Sequence, residues 1–244
     1  MDVYESLAKI VAERIRRIVE EERERIDRAA DMVVEAVSRG CIVHVVGAGH
    51  SAMVAEEMFY RAGGLACVNP IIDTDITVAH GALRSTLLEH VEGYARALLK
   101  SARVAQGDVV IVVSTSGVNT FPVEAAMAAR EMGAKTIGIT SLEYSKSLEP
   151  RNRFGKRLYE VVDVYIDNKV PRGDAAIEIA EGIRVAPVST ILNSFIVNAL
   201  VARATQKMLE AGIEPAIWLS SHLPGAEQHN ERLFKLFGNR IKLL

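Results

Sequence analysis

Two short runs in this sequence combine glycine with hydroxyl side chains: Gly47-Ala48-Gly49-His50-Ser51, and Ser114-Thr115-Ser116-Gly117-Val118-Asn119-Thr120. Each follows an apolar run and precedes a helical pattern, so each is expected at the carboxyl end of a strand, where open α/β sheets bind ligands. In the second run five side chains can hydrogen-bond an anion. Gly117 lets successive N–H groups converge, and the following helix favours negative charge at its start. No Gly-Lys-Ser/Thr follows, which excludes a nucleoside-triphosphate loop and points to a monophosphate held by hydroxyls and amides. An N-cap would use one hydroxyl, not three.

The first run reads in several ways. It approximates G-x-G-x-x-G/A, but the next apolar run ends Cys67-Val68-Asn69-Pro70 without the acid that holds a dinucleotide ribose. Gly49-His50-Ser51-Ala52-Met53 approximates a nucleophile elbow, with Met53 crowding the place of the second glycine. The remaining readings are a tight turn and an anion or sugar site to which Gly49, His50 and the Ser51 hydroxyl contribute.

The elements that must position these runs follow from hydrophobic rhythm. Leu7, Val11, Ile15, Ile18, Ile26, Ala29, Val33 and Val37 lie mostly three or four apart, which predicts one long or two consecutive amphipathic helices over 3–37. From Cys41 on, short apolar runs alternate with helical patterns, the mark of βαβ units and a parallel sheet. Strands are predicted at 42–46, 66–69, 109–113, 136–140 and 161–166. Helices are predicted near 50–62, 86–103, 121–132 and 188–210. Residues 168–174 read as a plain loop and the C-terminal stretch as a tail. The resulting organisation is an N-terminal helical extension, 1–38, and one domain, 39–244.

With 244 residues, a formal net charge of −2 and 49% apolar residues, bulk composition gives no reason to expect nucleic acid or a membrane as partner. No apolar run reaches the roughly 18 residues of a membrane span. Cys41 and Cys67 sit at the starts of apolar runs and read as core residues in a reducing cytoplasm.

The loops GAGHS and STSG, with GDVVIVVSTSG and AREMGAKTIGIT around them, closely resemble the SIS (sugar isomerase) domain of phosphosugar isomerases and phosphosugar-binding regulators. The segments AEEMFYRAGG, STLLEHVEGYA, PRGDAAIE and LPGAEQHN resemble a subgroup of single-domain sugar-isomerase-domain proteins. The resemblance implies an α/β three-layer sandwich with a five-stranded parallel sheet, flavodoxin-like, and a homodimer or larger homo-oligomer with its site near the subunit interface. It also implies that Ser114, Thr115 and Ser116 hold a sugar phosphate with Asn119 or Thr120 nearby, that Ser51 touches phosphate or sugar, and that Ser189 and Thr190 line the sugar pocket. The expected function is binding of a phosphorylated sugar or amino sugar and its isomerisation by proton transfer, or related enediol-type chemistry. The alternative is a non-catalytic sensing module.

Isomerisation needs a base beside C2, an acid, and donors for the enediolate. Four residues are candidates. Glu57 lies six residues beyond Ser51 on the expected helix, though pairing with Arg61 is its competing use. Glu89 sits on a mostly apolar helix that could bury it and raise its pKa. His80 lies in a loop, and His229 lies in a tail that could reach a partner subunit. His222, Glu227 and His229 match no ligand spacing, so neither a metal nor a cofactor is expected.

Overall fold

A computed structural model describes residues 2–244. Two helices, α1 (Val3–Glu21) and α2 (Arg23–Ser38), precede β1 (Val43–Gly47). A 3₁₀ turn, Gly49–Ala52, leads into α3 (Met53–Met58), then β2 (Val68–Ile71). A second 3₁₀ turn, Val78–His80, is followed by α4 (Ala82–Leu88) and α5 (Tyr94–Ser101). Next come β3 (Val109–Val113), α6 (Thr120–Glu131), β4 (Lys135–Thr140), α7 (Leu142–Lys146), α8 (Leu158–Val161) and β5 (Val164–Asp167). A hairpin of β6 (Ala175–Ala180) and β7 (Ile183–Pro187) precedes α9 (Ser189–Glu210), and α10 (Ala226–Phe237) follows.

The five expected strands form one parallel sheet in the order β2-β1-β3-β4-β5. Their near-continuous apolar runs are what burial on both faces requires. Alternate residues of β3 divide between two cores: Val109, Ile111 and Val113 face α2 and α9, while Val110 and Val112 face α5 and α6. The N-terminal stripe buries Ile18, Ile26, Ala29, Ala30 and Val33 in the first of these cores, so both N-terminal helices fold back onto the sheet.

The chain departs from its hydrophobic rhythm in three places. The expected helix over 86–103 is two helices, broken at Gly93 (φ +83°), where the buried Glu124 carboxylate accepts the N–H groups of Gly93 (2.7 Å) and Ala95 (3.1 Å). The fifth strand begins later than expected because residues 158–161 form α8, its start fixed by the Arg157 N–H donating to the Glu160 carboxylate at 2.6 Å. Residues 168–174 are a loop as expected, but 175–187, for which no element is predicted, form a hairpin, and 226–237 form a helix in place of the tail read from the sequence.

The kink between α1 and α2 is held from inside. Glu22 is 1% exposed, and the ammonium of Lys169, itself 7% exposed with φ +56°, contacts Glu22, Glu21 and Asp167. Arg25 donates to the other Glu22 oxygen at 2.8 Å, and Arg14 donates to the Lys169 carbonyl at 3.1 Å. Three acceptors satisfy the three donors of the ammonium, which offsets its desolvation, and the surrounding carboxylates hold its pKa above the usual lysine value against the opposing effect of burial. Removing one partner strands the others. Lys169→Met is expected to lower unfolding stability by about 3–5 kcal/mol, the cost of breaking a buried pair, measured as a fall in urea midpoint with unchanged m-value.

Candidate functional site

In the order β2-β1-β3-β4-β5 the chain leaves β1 toward one edge and β3 toward the other, so a crevice opens between the loops that follow these two strands. Both glycine-serine loops lie there, because β1 and β3 are hydrogen-bonded neighbours with Gly47 opposite Val113.

The second loop is held by its carbonyls. The Thr115 carbonyl accepts from the Ser141 N–H (3.0 Å) and the Thr140 hydroxyl (3.2 Å). The Gly117 carbonyl accepts from Leu158 (2.8 Å), and that of Val118 accepts from Arg151 (2.8 Å) and the Asn152 amide (2.8 Å). The Gly117 N–H turns inward to the hydroxyl of Ser114, which is buried, at 3.2 Å. The N–H groups of Thr115, Ser116, Val118 and Asn119 have no acceptor among the described residues, and neither do the hydroxyl protons of Thr115 and Ser116. Gly117 makes this possible. Its φ is +63°, and a Cβ there would stand 2.7 Å from the Thr140 hydroxyl. Thr120 is buried at the first position of α6, its hydroxyl directed to the Arg151 carbonyl at 3.5 Å.

The first loop is spent differently. Gly49 (φ +56°) donates its N–H to the Ile76 carbonyl at 2.9 Å, and Ser51 donates to Ala48 at 3.0 Å. What it offers the crevice is side chains: the exposed His50 ring and the half-buried Ser51 hydroxyl, which has no partner among the described residues. A Cβ on Gly47 would meet the Ser51 carbonyl oxygen at 2.6 Å, so only glycine fits this close turn.

Of the acid-base candidates, Glu89 is the one brought to the second loop. Its carbonyl accepts the Phe121 N–H at 3.0 Å, at the start of α6, and its carboxyl lies beside Asn119, the N-cap of that helix. Burial pushes its pKa up, against smaller lowering effects of the Asn119 amide and His90. The Asn119 side-chain oxygen, Oδ1, is buried without a partner among the described residues. His80 lies near the first loop, its Nδ1 2.7 Å from Asp75, which also pairs with Arg84 at 2.7 Å. The His80 hydrogen bond is the largest effect holding the Asp75 carboxyl below its usual value. His80 ends the 3₁₀ turn before α4 and Glu89 caps the far end of that seven-residue helix.

The other expected groups are occupied within the fold. Glu57 pairs with Arg61 and accepts the Asn198 amide at 2.7 Å. His229 lies on α10, and its Nε2 is 2.8 Å from the Ile217 carbonyl of its own chain. The Ser189 hydroxyl donates to Asp174 at 2.6 Å, and the same carboxylate accepts the N–H groups of Val188 and Ser189 to start α9. Thr190 follows, partly buried in the first turn. Arg151, not singled out from the sequence, is brought to Asn119 by a parallel bridge, and its exposed guanidinium has no ion pair among the described residues. The only signal was the basic character of residues 146–157, too diffuse to choose one cation. No group of three or more His, Cys, Asp or Glu among the described residues is arranged to hold a metal ion.

The SIS domain profile matches residues 8–141. A UPF0309 protein of Geobacillus kaustophilus is 43% identical over 235 residues, covering 96% of this chain and 94% of its own length. Another, from Caldanaerobacter subterraneus subsp. tengcongensis, is 39% identical over 238 residues and covers 96% and 97%. Among solved structures, a phosphoheptose isomerase from Francisella tularensis superposes with TM-score 0.52 at 17% identity, covering 84% of this chain and 97% of that one. The Vibrio vulnificus NanR protein complexed with ManNAc-6P superposes with TM-score 0.51 at 14% identity, covering 96% and 70%. At these identities the structural likeness establishes the fold.

The raised pKa of Glu89 has a thermodynamic consequence. A carboxyl whose folded pKa exceeds its unfolded value binds more protons in the native state, so stability falls as pH rises from the unfolded pKa through the folded one. Glu89→Gln is therefore expected to stabilise the protein at pH 7 and to lose that advantage below about pH 4, near the unfolded glutamate pKa. Urea midpoints at the two pH values check both.

Proposed function

The chain belongs to the SIS domain family, and from that premise we propose that it binds a phosphorylated sugar or amino sugar and moves a proton on it, as in aldose-ketose isomerisation or a related enediol-type reaction. The observation that carries this is the set of unpartnered N–H groups on Thr115, Ser116, Val118 and Asn119 at the start of α6. Amide donors without acceptors among the described residues, at the start of a helix whose dipole favours negative charge, suit a phosphate dianion. The Thr115 and Ser116 hydroxyls add donors, Ser114 shapes the turn from beneath, and Arg151 supplies a cation at the rim. Ser51 and His50 then face the sugar from the first loop.

Glu89 is the proposed base. It is partly buried, carries no ion pair among the described residues, and adjoins the loop that holds the phosphate. Its carboxylate takes the proton from C2 while the C1 carbonyl oxygen gains one from solvent. The enediol then collapses as the same carboxyl returns its proton to C1 and the C2 hydroxyl gives its own to solvent. A pKa raised by burial makes this carboxylate a stronger base than an ordinary glutamate, which suits a group that both takes and returns the proton. His80, oriented through Nδ1 by Asp75, is proposed as a contact to sugar hydroxyls at the first loop.

The sensing alternative draws support from one fact: Glu57, His229 and Ser189 are engaged within the chain, which leaves a single well-placed carboxyl. We further propose a homodimer or larger assembly in the cytoplasm, with the site near the interface. Exposed Ile179, Ile183 and Val185 on the β6–β7 hairpin support the assembly. No helix among the described residues is long and apolar enough to cross a membrane.

In a thermal-shift panel of sugar phosphates, Ser114→Ala/Ser116→Ala is expected to weaken any ligand that stabilises the wild type by roughly a hundredfold, through loss of the Ser116 donor to a charged group and of the Ser114 hydroxyl that holds the Gly117 N–H in the turn. Unchanged binding would remove the phosphate from this loop. With the same ligand in deuterated water, Glu89→Gln is expected to keep binding within a few-fold and to slow C2 proton exchange by at least about a hundredfold. Tight binding with no exchange in the wild type would instead support sensing.

A further inference from the structure

A second cleft lies at the other edge of the sheet. Residues Gly63 to Ala66 run into the beginning of β2 and pair with Ala216 to Trp218, through Gly63 N–H to the Trp218 carbonyl (2.9 Å) and Trp218 N–H to the Gly64 carbonyl (3.0 Å). The crevice between the glycine-serine loops lies beyond the strands' carboxyl ends, whereas this pairing adjoins an amino end. Two segments that the site leaves unexplained, AEEMFYRAGG and LPGAEQHN, meet here.

Three aromatic rings pack against one another. Tyr60 stands edge-on to Trp218 with centroids 4.9 Å apart, Tyr60 and Phe234 are 5.4 Å apart, and Trp218 and Phe234 are 5.0 Å apart. Trp218 is 2% exposed, whereas Tyr60 is 51% exposed and has φ +40°, a strained value for a residue with a side chain. The cluster is braced from α10. The Asn230 amide accepts the Leu219 N–H at 3.0 Å and donates to its carbonyl at 2.9 Å, and His229 holds Ile217. A cavity opens between Tyr60 and Phe234, with Ser221, Glu227 and Glu231 on its walls, and adjoins a second one that Tyr60 shares with Ser220 and His222.

We propose that this cleft is a second ligand site, for a protonated amine carried on a hydroxylated ring, that is, an amino sugar without a phosphate. An ammonium over the faces of Tyr60 and Phe234 meets the negative side of the ring quadrupole. Glu227 makes no ion pair among the described residues and supplies a counter-charge. Ser220, Ser221 and His222 offer partners for ring hydroxyls. A phosphate is disfavoured here, since Arg61 and Lys235 are already paired with Glu57 and Glu231. The bracing leaves little to order on binding.

Trp218 is the single tryptophan of the chain, so its fluorescence reports this cleft. Titration with glucosamine is expected to give a saturable change in emission, and glucose is expected to bind roughly tenfold more weakly, having no charge to place over the rings. Glu227→Gln should bring glucosamine close to glucose, and Tyr60→Ala should abolish the response. Should Tyr60→Ala fail to fold, Glu227→Gln, on the exposed first turn of α10, decides alone. The Ser114→Ala/Ser116→Ala variant should respond as the wild type does. The proposal is overturned if glucosamine gives no saturable change, if both cleft variants respond normally, or if the loop variant loses the response.

Discussion

The geometry at the carboxyl edge of the sheet depends on how the backbone of residues 114–119 is hydrogen-bonded. Every engaged carbonyl of this loop points to a neighbour, Thr115 to β4, Gly117 to α8 and Val118 to the segment at Arg151. The N–H groups of Thr115, Ser116, Val118 and Asn119 are left without an acceptor among the described residues. Free donors at the start of a helix are the usual makings of an anion site. Gly117 is the point on which it turns: a side chain there would require left-handed backbone and would collide with Thr140, and the loop would have to withdraw from β4. The same packing carries Leu158 and Arg151 to the loop, so a site read as one segment is assembled from three.

The frame that keeps this loop in place extends to the opposite end of the chain. Thr140 and Ser141 at the end of β4 hold the second loop, and the Ser141 hydroxyl in turn donates to the Val170 carbonyl at 2.6 Å. Lys169, one residue earlier, anchors the α1–α2 kink through Glu22. The Asn168 amide donates to Asn193 of α9 at 2.8 Å. The residues that follow β5 thus join the N-terminal helices, the last long helix and the second loop in one buried polar network. At the other edge, Asp108 gathers the Ile42 and Ala105 N–H groups, His44 and Arg240, and so ties the C-terminal tail to the starts of β1 and β3.

The sheet was legible in the sequence because parallel strands buried on both faces leave unbroken apolar runs such as Val109–Val113. The second loop was legible because its hydroxyls exceed what a helix cap needs. What the sequence hid was tertiary. Gly93 could not be read as a break, since the Glu124 side chain that stabilises it comes from α6, 31 residues away. The β6–β7 hairpin alternates only briefly, in Ile177-Glu178-Ile179 and Ile183-Arg184-Val185, and those runs are too short to stand out from a loop; Ile179, Ile183 and Val185 are exposed in the single chain. The helix at 226–237 was masked by a polar start whose His229 and Asn230 serve to dock it. Those groups looked like chemistry because their folding partners lie 11 or 12 residues upstream, and Ser189 was likewise claimed by Asp174, 15 residues before it.

The central claim is that the free amides of the second loop are a phosphate site. An amide NMR titration with inorganic phosphate, and separately with a hexose 6-phosphate, observes those groups directly. The expected result is saturable shifts centred on Thr115, Ser116, Val118 and Asn119, larger for the sugar phosphate and joined by Ser51 and His50 only when the sugar is present. If the shifts centre elsewhere, or if these four amides do not move while another region saturates, the claim is wrong.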